Sequence, residues 1–453
     1  MLRNFFADRE FFRAFLMITL PITGQNILQF SVSIADAVMV GQLGDKQLAA
    51  VQQANQVGFL MIMMIFGLVG GANVMIAQYW GKGDTANIHK VMTVTYRVLL
   101  VIVASFSVAA IGFPEQIMRI LGVADITEYG AAFLRIAGWG YALTGFSICT
   151  LTLLRSVSTV RIAVVASTLT LVVSVFGNWV FIFGNLGMPA LGVRGAALTT
   201  VIARVIEACI VLAYMLKFER KLRYPLRNFF SRRVQFLREF ARNALPVFLN
   251  ESGWGIGFLT LTIIIGHMGA EFIAAISVNN ILFNLLNAAI FGAGSASAVI
   301  IGNTVGSGRY NLARSRMGKI MLISLGMGIL TGLLILALRA PFLMLFGNLS
   351  DVTRYYAYQV MAVNAAIIFF QSISLVAVIG VLRGGGDGKF AAIIDIATMW
   401  LVALPLGFFA GHVWGLPIAV VFFLLKIDEP LKAIICLPRL LRGNWVNDVT
   451  LRL

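Results

Sequence analysis

Four acidic residues stand out inside long apolar runs: Asp36, Glu207, Glu251 and Asp395. An ionised carboxylate near the middle of a bilayer costs roughly 2.5–3.5 kcal/mol on insertion scales, so each needs a reason to be there. Glu207 has a simple one: it follows Arg204 by three residues, the spacing of an ion pair on one helix face. Asp36 shares a stripe with Gln25, Gln29 and Ser33. At 100° per residue the four fall within about 80° of arc. Such a stripe suits a carboxylate that binds a cation, or one that only ties helices together. Glu251 lies nine residues beyond Arg242, roughly 13 Å along a helix, and Asp395 six beyond Lys389, roughly 9 Å. On neighbouring helices two carboxylates at that depth could share a proton. Alternatively, one of them hydrogen-bonds Trp254 or Trp400.

Amides surround these acids. Asn280, Asn284 and Asn287 form a stripe at i, i+4 and i+7, and Asn364 and Gln371 are seven apart on another run. Amides satisfy a solute or water without fixing a charge, and they also join helices to one another. With Asn55, Asn178 and Trp254 they make up the expected cavity lining. His89, His267 and His412 begin no catalytic or metal motif, and Cys149, Cys209 and Cys436 show no pairing pattern, so they read as small core residues. No metal and no cofactor are expected apart from a coupling ion, H⁺ or else Na⁺.

The elements that must hold these groups follow from composition. Of 453 residues 59% are hydrophobic and 12% charged, with mean hydropathy +0.90. That is more apolar surface than a soluble chain of this length can bury, so an all-α, multi-span membrane protein is expected. Apolar runs place twelve helices near 12–41, 50–80, 88–112, 129–155, 162–184, 191–217, 238–266, 271–305, 316–340, 352–381, 389–412 and 415–438. The net charge of +16 comes from basic residues between these runs, the positive-inside pattern rather than a nucleic-acid surface. Arg3, Arg9, Arg13, Lys82, Lys90, Arg155, Arg161, Arg309, Arg314, Arg316, Lys319, Arg383, Lys389, Arg439 and Arg442 mark the cytoplasmic side. The other side mixes Lys46, Arg119, Arg194, Arg339 and Arg354 with acids such as Asp45, Glu115, Asp125 and Asp351, so both termini are expected in the cytoplasm.

The chain repeats itself. Pro21 and Pro246 are 225 residues apart, as are Gly41 and Gly266, Gly44 and Gly269, Asn55 and Asn280, Gly67 and Gly292, Gly81 and Gly306, and Gly83 and Gly308. Leu154-Arg155 matches Leu382-Arg383 at an offset of 228. A duplicated six-helix unit follows: an N-terminal lobe over 1–217, a basic linker at 218–237 and a C-terminal lobe over 238–453. The basic residues of the linker, among them Arg220, Lys221, Arg223, Arg227, Arg232 and Arg233, suit a solvated loop beside anionic lipid.

Taken together, the chain resembles the multidrug and toxic compound extrusion (MATE) transporters over nearly its whole length. The likeness rests on the repeat and on Leu20-Pro21 with Asp36-Ala37-Val38-Met39-Val40-Gly41. Gln78-Tyr79-Trp80-Gly81-Lys82-Gly83, Pro189-Ala190-Leu191-Gly192-Val193-Arg194-Gly195-Ala196-Ala197 and Leu382-Arg383-Gly384-Gly385-Gly386-Asp387 add to it. It implies a secondary antiporter that exports bulky, often cationic, organic compounds in exchange for H⁺ or Na⁺; a monomer in the bacterial plasma membrane that uses H⁺ in preference to Na⁺ is expected here. Asp36 then corresponds to the first-helix coupling aspartate of many prokaryotic members, and Glu251 resembles the seventh-helix glutamate of other branches; Asp395 is a third candidate on its depth in the membrane and not on the resemblance. Two positions depart from the family pattern. Ser174 and Asn178 stand where many members carry Asn and Asp, and Ser372 stands where sodium-coupled members carry Asp. A lipid-linked precursor flippase of the same superfamily is the nearest alternative, though it needs a basic central cavity. A membrane enzyme would need a catalytic constellation that three scattered histidines do not supply.

Overall fold

The computed structural model describes residues 8–121, 126–230, 236–346 and 349–451. Arg3, Asp125, Arg232 and Arg233, counted above as loop charges, lie outside the described residues. Eleven described helices are long and apolar enough to cross a membrane. In chain order they are α1 (Arg9–Gly41), α2 (Lys46–Lys82), α3 (Thr85–Gly112), α4 (Thr127–Ser156), α5 (Arg161–Phe181), α6 (Val193–Phe218), α7 (Leu237–Gly266), α8 (Glu271–Gly306), α9 (Tyr310–Met344), α10 (Asp351–Arg383) and α11 (Gly388–Val413). These match eleven of the twelve expected runs. The twelfth is broken: α12 (Ile418–Leu424) and α13 (Asp428–Arg442) are separate pieces. The expectation of an unbroken apolar run over 415–438 fails because Asp428, Glu429 and Lys432 charge its second part.

Local chemistry starts and bends these helices. Asp84 caps α3 by accepting the Asn87 N–H at 3.0 Å, and Ser350 caps α10 through the Thr353 N–H at 3.2 Å. Pro21 and Pro246 stand inside α1 and α7, where each removes one backbone hydrogen bond. Wide π turns occupy Val376–Arg383 at the end of α10 and Thr398–Ala403 within α11. Such turns are frequent where a helix must present a functional side chain.

The duplication is visible in backbone geometry. Gly44 (φ 123°) and Gly269 (φ 112°) precede α2 and α8, and Gly83 (φ 79°) and Gly308 (φ 74°) follow them. All four sit in the region open to glycine, and within each pair the residues are the 225-spaced partners.

The described residues pack as two units. One holds those of Met1–Thr23, Ala77–Gly83 and Leu249–Leu453; the other holds Gly24–Ile76 and Asp84–Phe248. These units do not follow chain order at 217 and 238. In the first, the early turns of α1 pack on α8, where a Cβ at Gly292 would touch the Thr19 carbonyl oxygen at 3.0 Å. In the second, the first turns of α7 pack on α2, where a Cβ at Gly71 would run into the Ala244 backbone. Thr19 and Ala244 are themselves 225 apart, whereas Gly292 corresponds to Gly67 and not to Gly71, so the two contacts are alike but shifted by about one helical turn. The first unit has an apolar core of Leu261, Ile264, Phe272, Val360, Met399 and Phe422, with Trp254 and Trp400 at its margin. In the second, Leu151, Ala163, Ala166 and Val211 form a smaller cluster.

Candidate functional site

In the unit containing most of the N-terminal half, Asp36 on α1 is half-buried and its Oδ1 accepts a 2.6 Å hydrogen bond from the Asn178 amide on α5. Asn178 is itself buried, and its Oδ1 has no partner. The stripe expected on α1 divides: Gln25 is buried, whereas Gln29 and Ser33 are exposed, the Ser33 hydroxyl donating to the Gln29 carbonyl. Gln25 accepts from Arg155 Nη2 at 3.0 Å. Arg155 is therefore not the exposed loop charge the positive-inside count made it; it is half-buried on an amide. Arg204 and Glu207 form the expected ion pair at 2.6 Å, with Glu207 buried. Asn55 is exposed.

The other unit holds a charge network: Glu251 on α7 accepts from Arg383 Nη1 at 2.6 Å, and Arg383 Nη2 lies 4.0 Å from Asp395 Oδ2 on α11. Asp395 also accepts from the Asn250 amide at 3.0 Å. The helices of Glu251 and Asp395 are thus neighbours, as the shared-proton expectation required, but a guanidinium stands between the carboxylates. Arg383, read from sequence as a rim charge, is only 6% exposed. Lys432 on α13 completes the network: its Nζ reaches Asp395 Oδ1 at 3.0 Å, Asp428 Oδ2 at 3.0 Å and Glu429 Oε1 at 3.1 Å. The Ser374 hydroxyl donates to the other oxygen of Glu429. Asp428, Glu429 and Lys432 are not among the residues expected from sequence; their signal is the charge pattern at i, i+1 and i+4 inside the last run.

Neither tryptophan takes the alternative role offered to it. The Trp400 indole donates to the Gly253 carbonyl at 3.1 Å, and Trp254 stacks on Phe258 with ring centroids 5.6 Å apart. The asparagine stripe scatters: Asn280 is half-buried, Asn284 exposed, and Asn287 buried with its Oδ1 unpartnered. Asn364 joins α10 to α8 by donating to Asn279 at 3.1 Å, which is the helix-joining role, while Gln371 is half-buried. Ser372 donates to the Ser324 carbonyl on α9 at 3.0 Å, so it too joins helices. Cys149 and Cys436 are buried as expected, but Cys209 is exposed. Among the described residues no group of three or more His, Cys, Asp or Glu side chains is placed to hold a metal ion; the three carboxylates around Lys432 are held by its ammonium.

The MatE family profile matches residues 21–180 and again 246–409. The two matches begin at Pro21 and Pro246, the interval of the repeat. The chain belongs to the MatE family. Among its relatives, an uncharacterized transporter, YisQ, of Bacillus subtilis is 25% identical over 446 residues, covering 97% of this chain and 96% of the relative. A probable multidrug resistance protein NorM of Agrobacterium fabrum is 29% identical over 433 residues, 89% of each chain. The fold is that of a solved outward-facing multidrug resistance MATE family transporter of the MOP superfamily, with TM-score 0.86, 19% identity and 96% of each chain covered. MATE proteins are membrane transporters and not enzymes, which removes the enzyme alternative. The second family match ends at 409, so Lys432, Asp428 and Glu429 lie beyond it. The partners of Asp395 on α13 are thus features of this chain that the family match does not cover.

Proposed function

We propose that this MATE-family protein exports bulky cationic organic compounds across the bacterial plasma membrane in exchange for H⁺, with both termini cytoplasmic. The names of its NorM relatives support multidrug export. The observation that carries the proton reading is Asp36: a half-buried carboxylate held by a neutral amide, with no cation within ion-pair distance among the described residues. Asn178 serves both protonation states. Its N–H₂ donates to the carboxylate, and its unpartnered Oδ1 can accept from the neutral acid after a local rotation. Protonation then changes which atom of Asn178 faces Asp36, and that difference biases the exchange between accessibility states.

Glu251 and Asp395 form the second coupling region. With Asp428 and Glu429 they place four carboxylates against two cations, Arg383 and Lys432. The network therefore carries two more carboxylates than cations, which leaves carboxylate charge for a coupling proton to meet. Because both cations are engaged by carboxylates, the network does not resemble the free basic surface a pyrophosphate carrier needs, and the flippase alternative is disfavoured.

The test is substrate-driven ion flux in proteoliposomes, comparing wild type with Asp36→Asn and Glu251→Gln. Uptake driven by a pH gradient should fall at least about tenfold in each variant, the loss expected when about 1.4 kcal/mol of coupling is removed. Normal transport by both variants would refute the carboxylate mechanism, and transport driven only by a sodium gradient would refute the proton assignment.

A further inference from the structure

We propose that Lys432 sets the cation choice of this transporter: its ammonium occupies, from within the chain, the position a sodium ion would take among Asp395, Asp428 and Glu429. An ammonium has three donors and no acceptor. Here each donor has a carboxylate oxygen, at 3.0, 3.0 and 3.1 Å, supplied by α11 and by two residues of α13. The Lys432 side chain is 6% exposed, so the cage is closed around it. With the ammonium removed, the three carboxylates would offer their oxygens to a hard cation, which seeks several oxygen ligands at once. The Ser374 hydroxyl, on Glu429, and the unpartnered Oδ1 of buried Asn250, whose amide nitrogen is on Asp395, add neutral oxygens beside them.

The two candidate ions meet this cage differently. A sodium ion must displace an ammonium that three carboxylates already hold and that its own backbone keeps at high local concentration. A proton displaces nothing, because it attaches to a carboxylate oxygen the ammonium does not use. Such oxygens are present: Lys432 engages Oδ1 of Asp395, Oδ2 of Asp428 and Oε1 of Glu429, leaving a second oxygen on each, of which those of Asp395 and Glu429 accept from the neutral donors Asn250 and Ser374. Arg383 has the separate task of balancing Glu251, which it meets at 2.6 Å. The inference deepens the proton reading above, but it concerns binding and is tested without transport.

The experiment measures radiolabelled sodium binding and thermal unfolding of the full-length protein in detergent, with NaCl or choline chloride at equal ionic strength. Wild type and Lys432→Arg should show no sodium binding that depends on Asp395. Lys432→Ala should bind sodium at least about tenfold more tightly than wild type and be stabilised by NaCl over choline chloride, and adding Asp395→Asn should abolish both effects. If Lys432→Ala folds only in sodium, that requirement is itself the expected result. Should it not fold in either salt, Lys432→Gln with Asp428→Asn, which removes one charge of each sign, is expected to fold and to gain sodium binding. Overturning results are a folded Lys432→Ala, or this double variant, that binds no sodium, failure of both to fold in either salt, or Asp395-dependent sodium binding by wild type. Loss of the proton reading alone would appear in the flux assay and leave these binding results unchanged.

Discussion

At the scale of single residues, the two halves of the duplicated chain put the same cation to different use. Arg155 and Arg383 are repeat partners, yet Arg155 holds the neutral Gln25 while Arg383 holds the carboxylate of Glu251. Sequence marks Asp36, Glu251 and Asp395 as carboxylates within apolar runs. It did not show their partners, because a positive-inside count treats every arginine near a helix end as a loop charge. Removing Arg383 should expose the consequence. Arg383→Gln leaves Glu251 buried and uncompensated and should cost about 3–5 kcal/mol. Adding Glu251→Gln should restore most of that loss. Thermal unfolding of the two single variants and the double variant checks this; independent, additive losses would mean that the pair is not coupled.

The helices carry a second lesson. Eleven of twelve runs were legible because about 20 apolar residues in succession can hardly be anything but a crossing. The twelfth was not, because α13 balances its acids with Lys432 through contacts to α11 that no local pattern records. Glycines were legible as a repeat, but the reason for them is tertiary. In the unit that contains both segments, the end of α2 crosses the end of α8. A Cβ at Gly81 would collide with the Asn303 carbonyl oxygen, and one at Gly306 with that of Gln78. Gln78 and Asn303 are 225 apart, as are the two glycines, so this crossing is locally twofold. Gly306→Ala should therefore force the helix ends apart and destabilise the protein by about 1–3 kcal/mol, the usual range for overpacking. Gly318→Ala, where a Cβ meets open space, is the control that should leave the unfolding temperature unchanged.

Across the whole chain, the repeat accounts for the backbone and its exceptions account for the chemistry. Asp36 aligns with Leu261, and Glu251 with Asn26, so neither acid has a twin. Closure of the α2–α8 crossing likewise depends on a segment outside the repeat. The Gln78 amide is fully buried, donating to the Gly384 carbonyl at 3.3 Å and the Asn447 carbonyl at 3.1 Å, and accepting the Val449 N–H at 2.8 Å. Its repeat partner, Asn303, is one carbon shorter and keeps a buried Oδ1 without a partner. Residues more than 300 positions apart are thus joined by one side chain, and the following stretch is anchored by Trp445, which is fully buried and donates to the Leu440 carbonyl. Gln78→Leu keeps the volume but leaves two carbonyls and an N–H unsatisfied, at about 1–3 kcal/mol for each group that water cannot reach. Hydrogen exchange at 446–450 should accelerate by about tenfold or more in that variant while the core of α4 in the other unit exchanges as in wild type. Unchanged exchange at 446–450 would show that Trp445, and not Gln78, holds the segment in place.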